Sequence, residues 1–222
     1  MDITGISRTE SGNEITFKTD LGYFDISKAD AIDFFREFFD ADISEAENHL
    51  PLFVENHAAT RLVTLSEKLA CIKYAVYLLG ISDKSERQRR TKLKEKGYKP
   101  EVCDMALEVL KKNEYVSDRR FCRRKCEILA NSKLFGPRRI VSELVAKGIS
   151  ADLCLGIIDE LEIDFAENLE ILFEKLTKSK SIDFSDRKEV KKLSDKLLRY
   201  GYSYYEIKDV LDAHIEDYED TM

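Results

Sequence analysis

Apolar side chains recur along this chain at two spacings, and the change comes after residue 26. Before it, Ile3-Thr4-Gly5-Ile6, Ile15-Thr16-Phe17 and Tyr23-Phe24-Asp25-Ile26 are short β-branched or aromatic runs. The polar stretch Thr9-Glu10-Ser11-Gly12-Asn13 separates the first two, and Gly22 precedes the third. This pattern predicts a hairpin or a three-stranded meander. Beyond it the spacing is helical. Ala31, Phe34, Phe35, Phe38 and Phe39 form one face of a helix near 28–39. That helix should cover the sheet, because two or three short strands are marginal alone.

The remaining chain reads as three units of three helices. The first has helices near 65–79, 86–96 and 101–113, the second near 118–132, 137–147 and 151–161, the third near 165–178, 187–200 and 204–216. In each unit the middle helix should end at a glycine, where a left-handed stop residue costs least. These are Gly97, Gly148 and Gly201, 51 and 53 residues apart. A period near fifty points to a tandem helical array. The third helices carry matching apolar faces: Val102, Ala106, Val109 and Leu110; Leu153, Ile157, Ile158 and Leu161; and, shifted by about one residue, Ile207, Val210 and Leu211. Ser44-x-x-Glu47, Thr64-x-x-Glu67, Ser85-x-x-Gln88 and Ser203-x-x-Glu206 fit the capping box. Pro137 suits a first helical position. The expected fold is therefore all-α, with three tandem three-helix repeats behind a small N-terminal β region. The segments are 1–64 (strands and connecting helices), 65–116, 117–161 and 162–222, the last ending in an acidic tail.

Charge alters this picture more than composition does. The chain has 222 residues and a net charge of −7, which alone argues against a polyanionic partner. From Lys84 to Lys147, however, 19 Lys/Arg stand against 9 Asp/Glu, a local charge of +10. A basic middle between acidic ends can orient a polyanion or an acidic groove. No run of apolar residues is long enough to span a bilayer, and Met1-Asp2-Ile3-Thr4-Gly5 does not open a secretory signal. Five cysteines, an odd number without a signal, imply reduced thiols and a cytoplasmic setting.

The strongest run is Tyr115-Val116-Ser117-Asp118-Arg119-Arg120-Phe121, followed by Gly136-Pro137-Arg138-Arg139-Ile140, Glu143-Leu144 and Lys147-Gly148-Ile149. These residues resemble the RecX family of recombinase regulators, and the likeness covers roughly 65–216. It implies three-helix repeats in tandem, with an added N-terminal strand region as in Gram-positive members. It also implies a monomer without cofactor that binds the RecA filament on single-stranded DNA and blocks its extension or promotes its disassembly. Strand exchange, ATP hydrolysis and co-protease activity would fall. DNA would be met through the filament, and no membrane is involved. The chain departs from the family pattern twice. Arg89 stands eight positions before Gly97, where Ile140 and Leu193 stand before the later glycines, so helix 86–96 should be more exposed or packed in another register. Tyr200 replaces the lysine before Gly201.

The candidate partner-binding residues are all basic. Arg138 and Arg139 open a helix, where cations oppose the dipole, so their placement suggests contact with phosphate or acidic side chains; a local salt bridge to Glu143 is the plainer reading. Arg119 with Arg123 and Arg120 with Arg124 are like-charged i, i+4 pairs that disfavour their own helix, and they form either a basic ridge or a solvated face. Arg90, Lys96 and Lys147 extend the set. Phe121, Cys122, Cys126, Ile128 and Leu129 read as core. Cys122 and Cys126 share a helix face but lack the paired spacings of a zinc site, and His49, His57 and His214 add none. Tyr98, Tyr115, Tyr202, Tyr204 and Tyr205 near turns read as repeat contacts or base-stacking rings. No phosphate loop or nucleophile elbow is present, so no catalysis is expected. A helix-turn-helix DNA binder and a helical protein scaffold are the competing readings.

Overall fold

The computed structural model describes residues 1–178 and 182–221, with side chains through His214. The acidic side chains expected beyond that point lie outside the described residues. The chain divides into two units, Met1–Val116 and Ser117–Met222.

In the first unit, β1 (Asp2–Arg8), β2 (Glu14–Thr19), β3 (Gly22–Ser27) and β4 (Leu52–Phe53) form an antiparallel sheet in the order β3-β2-β1-β4. The expected meander is therefore extended by a fourth strand. Two residues cannot show a period of two, so the sequence pattern missed it. Alternation along β2 buries Ile15 and Phe17, and Ile3 and Ile26 join them. Helix α1 (Lys28–Phe39) starts where the Ser27 hydroxyl accepts the Asp30 N–H at 3.1 Å. It lays Phe34 and Phe35 onto Phe17, with ring centroids 6.4 and 5.7 Å away.

Two of the four capping readings are corrected. The short helix α2 (Ile43–Glu47) is capped by Asp42, not Ser44, with Glu45 reaching back to the Asp42 N–H. The helix expected at 65–79 is α3, which runs from Asn56 to Ile81. Thr64 lies inside it and its hydroxyl donates to the Thr60 carbonyl at 3.0 Å. The apolar face continues N-terminally through Leu62 and Ala58, both buried, and that burial overrides the local cap signal. One half of α3 packs on the sheet and α1; the other packs on α4 (Glu86–Glu95) and α5 (Pro100–Lys112). A single helix thus belongs to both cores of the unit.

The Ser85–Gln88 box forms as expected, with the Ser85 hydroxyl accepting the Gln88 N–H and Gln88 accepting the Ser85 N–H, both at 3.2 Å. Helix α4 is not the exposed helix that Arg89 suggested. Arg89 is 5% exposed and lies one turn before fully buried Leu93. The register matches the other middle helices, and an arginine occupies the apolar position. Leu107 on α5 is also fully buried.

The second unit holds α6 (Asp118–Glu127), α7 (Pro137–Ala146), α8 (Ala151–Glu160), α9 (Phe165–Lys178), α10 (Arg187–Tyr200) and α11 (Tyr204–Thr221). Two apolar clusters fill it, one among α6–α8 and one among α9–α11 with Leu134. The helix expected to run straight through 118–132 changes to a π-helical turn over Ile128–Ser132. Ile128, the first residue of that turn, is exposed rather than in the core, while Ala130 within it is fully buried. Ser203 and Glu206 make the reciprocal box. Gly97, Gly148 and Gly201 all have left-handed φ, at 103°, 93° and 99°.

All five cysteines are free and buried. Burial pushes the Cys71, Cys122 and Cys154 thiols up to about 12. At neutral pH they are neutral core side chains. Among the described residues no cluster of three or more His, Cys, Asp or Glu is placed to hold a metal, and no helix is long and apolar enough to cross a membrane.

Candidate partner-binding surface

The nine basic candidates divide between the units. Arg90 and Lys96 lie on α4 and its C-cap in the first; the other seven lie on α6 and α7 and at the C-cap of α7 in the second. Most of them already have work within the chain.

On α6, Arg119 makes two contacts to the Glu160 carboxylate at 2.6 and 2.7 Å, and Arg123 adds a third at 2.9 Å. These side chains bind α6 to the end of α8. The hydrogen bond from Arg119, supported by Arg123, holds the Glu160 carboxyl below its ordinary range. A lowered folded pKa means that the pairing is complete from the ordinary carboxylate range upward. It is lost only as pH falls through the lowered value. Arg120 and Arg124 occupy the neighbouring stripe of α6 and are exposed.

Helix α7 separates its two arginines. Arg138 is exposed and has no ion pair among the described residues. Arg139 is held on four sides. Its guanidinium lies 3.8 Å from the centroid of Phe135 and 5.6 Å from that of Tyr200. Its Nη1 donates to the Arg199 carbonyl at 3.0 Å, and its Nε is 3.9 Å from Glu143. The Arg199 carbonyl belongs to the last turn of α10, the negative end of that helix, where a cation is favoured. Glu143 also faces Lys147 at 3.5 Å. In the first unit Arg90 pairs with Glu86 at 3.0 Å and with Asp104, and Lys96 lies over the Tyr74 ring at 5.4 Å.

The Gly-Pro-Arg-Arg run is thus first of all a joint between repeats. The Gly136 N–H donates to the Tyr200 carbonyl at 2.8 Å. A Cβ on Gly136 would fall 2.6 Å from the Gly201 carbonyl carbon and oxygen, and one on Gly201 would fall 2.5 Å from Arg139. The two backbones approach more closely than any side chain permits. Beside them Tyr202 is fully buried and donates its hydroxyl to the Leu134 carbonyl at 3.2 Å. Tyr200, the departure from the family lysine, packs edge-on against Phe135 with centroids 5.7 Å apart. Sequence reasoning missed Phe135, and it marked Tyr200 only as a departure from the family lysine, not as a ring packed against Phe135 and Arg139. Their spacing reveals nothing, since 65 residues of chain separate two rings that share one arginine. Of the other turn tyrosines, Tyr98 is half-buried and Tyr115, Tyr204 and Tyr205 are exposed.

The comparisons with known proteins agree with this architecture. The family models for the first and second three-helix domains of RecX match residues 71–110 and 117–154. A regulatory protein RecX of Actinobacillus pleuropneumoniae is 33% identical over 150 residues, covering 68% of this chain and 94% of that protein. One from Clostridium beijerinckii is 30% identical, covering 71% and 78%. A crystal structure of a regulatory protein RecX superposes with a TM-score of 0.72 at 19% identity, over 94% of this chain and 98% of the other. The RecX of Lactobacillus salivarius gives 0.60 at 22%, over 68% and 97%. With a helical repeat array behind an N-terminal sheet, and a relative of this identity matched over nearly its whole length, the chain belongs to the RecX family of regulatory proteins.

Proposed function

We propose that this protein binds RecA filaments assembled on single-stranded DNA and inhibits them. It would lower recombinase, ATPase and co-protease activity by blocking extension or by promoting disassembly. The observation that carries the reading is Arg138. A cation at a helix N-terminus is electrostatically misplaced, and this one has no ion pair among the described residues to offset it, one residue before an arginine held by Phe135 and the Arg199 carbonyl. Arg138, with exposed Arg120 and Arg124, forms the contact to DNA phosphate or to acidic protomer surface. Arg119, Arg123, Arg139, Lys147 and Arg90 shape the helices that present it. The protein hydrolyses nothing. It acts by binding one filament state better than another, and differential affinity is all that such a shift requires.

The test is direct. Purified protein is added to preformed recombinase filaments on single-stranded DNA with ATP, and hydrolysis is followed. Hydrolysis should fall as the protein rises toward filament stoichiometry; a flat response over a wide concentration range rejects the proposal. A companion variant examines the occupied arginines. Glu160→Gln frees Arg119 and Arg123 to face outward. Because exposed ion pairs contribute little to stability, its melting temperature should stay unchanged while inhibition strengthens several-fold. Weaker inhibition by a fully folded Glu160→Gln would show that the pairing itself shapes the contact surface.

A further inference from the structure

The filament reading leaves one groove of the first unit without a role. Phe38 and Phe39 from the end of α1, Phe53 from β4, and Glu55, His57 and Ala58 from the start of α3 line a space of about 230 Å3. The core backs two of the rings. Phe38 packs on buried Phe34 with centroids 5.1 Å apart, and Phe39 on buried Phe35 at 5.4 Å. His57 meets Phe38 edge-on at 5.5 Å. Phe53 is different. Alternation on its two-residue strand gives Leu52 to the core and leaves Phe53 70% exposed. Glu55 holds the N-cap position of α3, yet its side chain makes no capping hydrogen bond and no ion pair among the described residues. Charge in this part of the chain is one-sided: from Asp33 to Glu55 seven Asp/Glu stand against one Arg.

We propose that this groove binds an arginine side chain of a partner protein. A guanidinium is planar, stacks on aromatic rings and forks onto a carboxylate, and a cation is attracted to the face of a ring. The chain uses the same chemistry at its own repeat joint, where Arg139 lies 3.8 Å from the Phe135 centroid and 3.9 Å from Glu143. The groove offers phenylalanine rings and the Glu55 carboxylate to a guanidinium from outside the chain. Its volume is below that of small-molecule pockets, about 300–1,000 Å3, and suits one side chain. The positive end of α3 opposes a cation, but it amounts to only about half a charge, less than Glu55 supplies. The same acidity repels a nucleic acid, and an apolar peptide would leave Glu55 without a partner. The proposal does not rest on the filament reading, and it is tested with neither DNA nor recombinase present.

The isotopically labelled full chain is titrated at low salt with N-acetyl-arginine amide while its backbone amide NMR signals are followed. The signals of Phe53, Glu55 and His57 should shift together and saturate. N-acetyl-citrulline amide, a neutral compound of nearly the same shape, should bind roughly tenfold weaker, because the charge-assisted bond is lost. Phe53→Leu should weaken arginine binding about fivefold, the scale of one cation–π contact, and Phe53→Tyr should bind as the parent does. Glu55→Gln should weaken it by a similar factor. Both positions are exposed, and circular dichroism verifies that the variants fold. The proposal is overturned if these signals do not move, if the citrulline compound competes as an equal, or if folded Phe53→Leu binds arginine equally well. Shifts that follow protein concentration alone would make a second copy of the chain the occupant, which also overturns it. Filament inhibition is scored separately on the same variants, so loss of one activity is distinguishable from loss of the other.

Discussion

Replacing Gly201 by alanine is expected to destabilise the second unit by about 2–5 kcal/mol. Two costs add. Holding a non-glycine residue in the left-handed region costs roughly 1–2 kcal/mol, and Gly201 has φ 99°. Forcing a methyl into a filled space costs about 1–3 kcal/mol more, and here the new carbon would fall 2.5 Å from the Arg139 backbone nitrogen and Cβ. Backbone cannot rotate aside as a long side chain can. Gly97 supplies the control. It has nearly the same dihedral, φ 103°, but a Cβ there would meet nothing within 4 Å. Gly97→Ala should therefore cost only the dihedral share, about 1–2 kcal/mol. Any gain from a stiffer unfolded chain is common to both variants and cancels. Urea denaturation followed by circular dichroism measures each. Equal losses would mean that the close approach of the Gly136 and Gly201 turns is not a constraint on the fold.

Arg139 should prove to be a residue of the same joint. Removing it eliminates a charge-assisted hydrogen bond to the Arg199 carbonyl and the stacking on Phe135. Hydrogen bonds to charged groups contribute about 1.5–3 kcal/mol and cation–π contacts about 0.5–2. The side chain is 35% exposed, and solvent screening reduces the sum to about 1–3 kcal/mol for Arg139→Ala. Arg139→Glu should cost more, since it sets a carboxylate against the negative end of α10. Arg139→Lys should fall between the parent and alanine, because an ammonium keeps the charge but loses the planar fork that stacks and donates together. Arg138→Ala, one residue away, should change stability by less than about 0.5 kcal/mol, as exposed substitutions usually do. Thermal melting of the four variants orders them. An Arg138 effect as large as that of Arg139 would contradict the division of roles between them.

Much of the fold was legible because its signals are local. The three closing glycines, the proline at α7 and the serine caps of α4 and α11 each act within a few residues. Burial of the apolar faces on the third helices then follows from periodicity alone. The failures have a different origin. The Thr64 box has the right letters, yet α3 passes through it because Leu62 and Ala58 are buried against the sheet. Helix α4 kept its register with an arginine in the apolar position, since Leu93 and the shared α3 fix its face. The candidate site was half-legible for the same reason. Charge counting found every arginine but could not tell Arg138 from Arg139. The difference is made by Tyr200 and Arg199, some sixty residues downstream, which only the fold brings to α7. Glu160 is likewise invisible to any count along α6.

The most direct test of the account compares filament inhibition by the parent protein with that by Arg138→Glu. Both are titrated against preformed recombinase filaments on single-stranded DNA while ATP hydrolysis is recorded, and both are melted in the same buffer. The account predicts that the half-inhibitory concentration rises tenfold or more for Arg138→Glu with no change in melting temperature. Equal inhibition by the two proteins would contradict it.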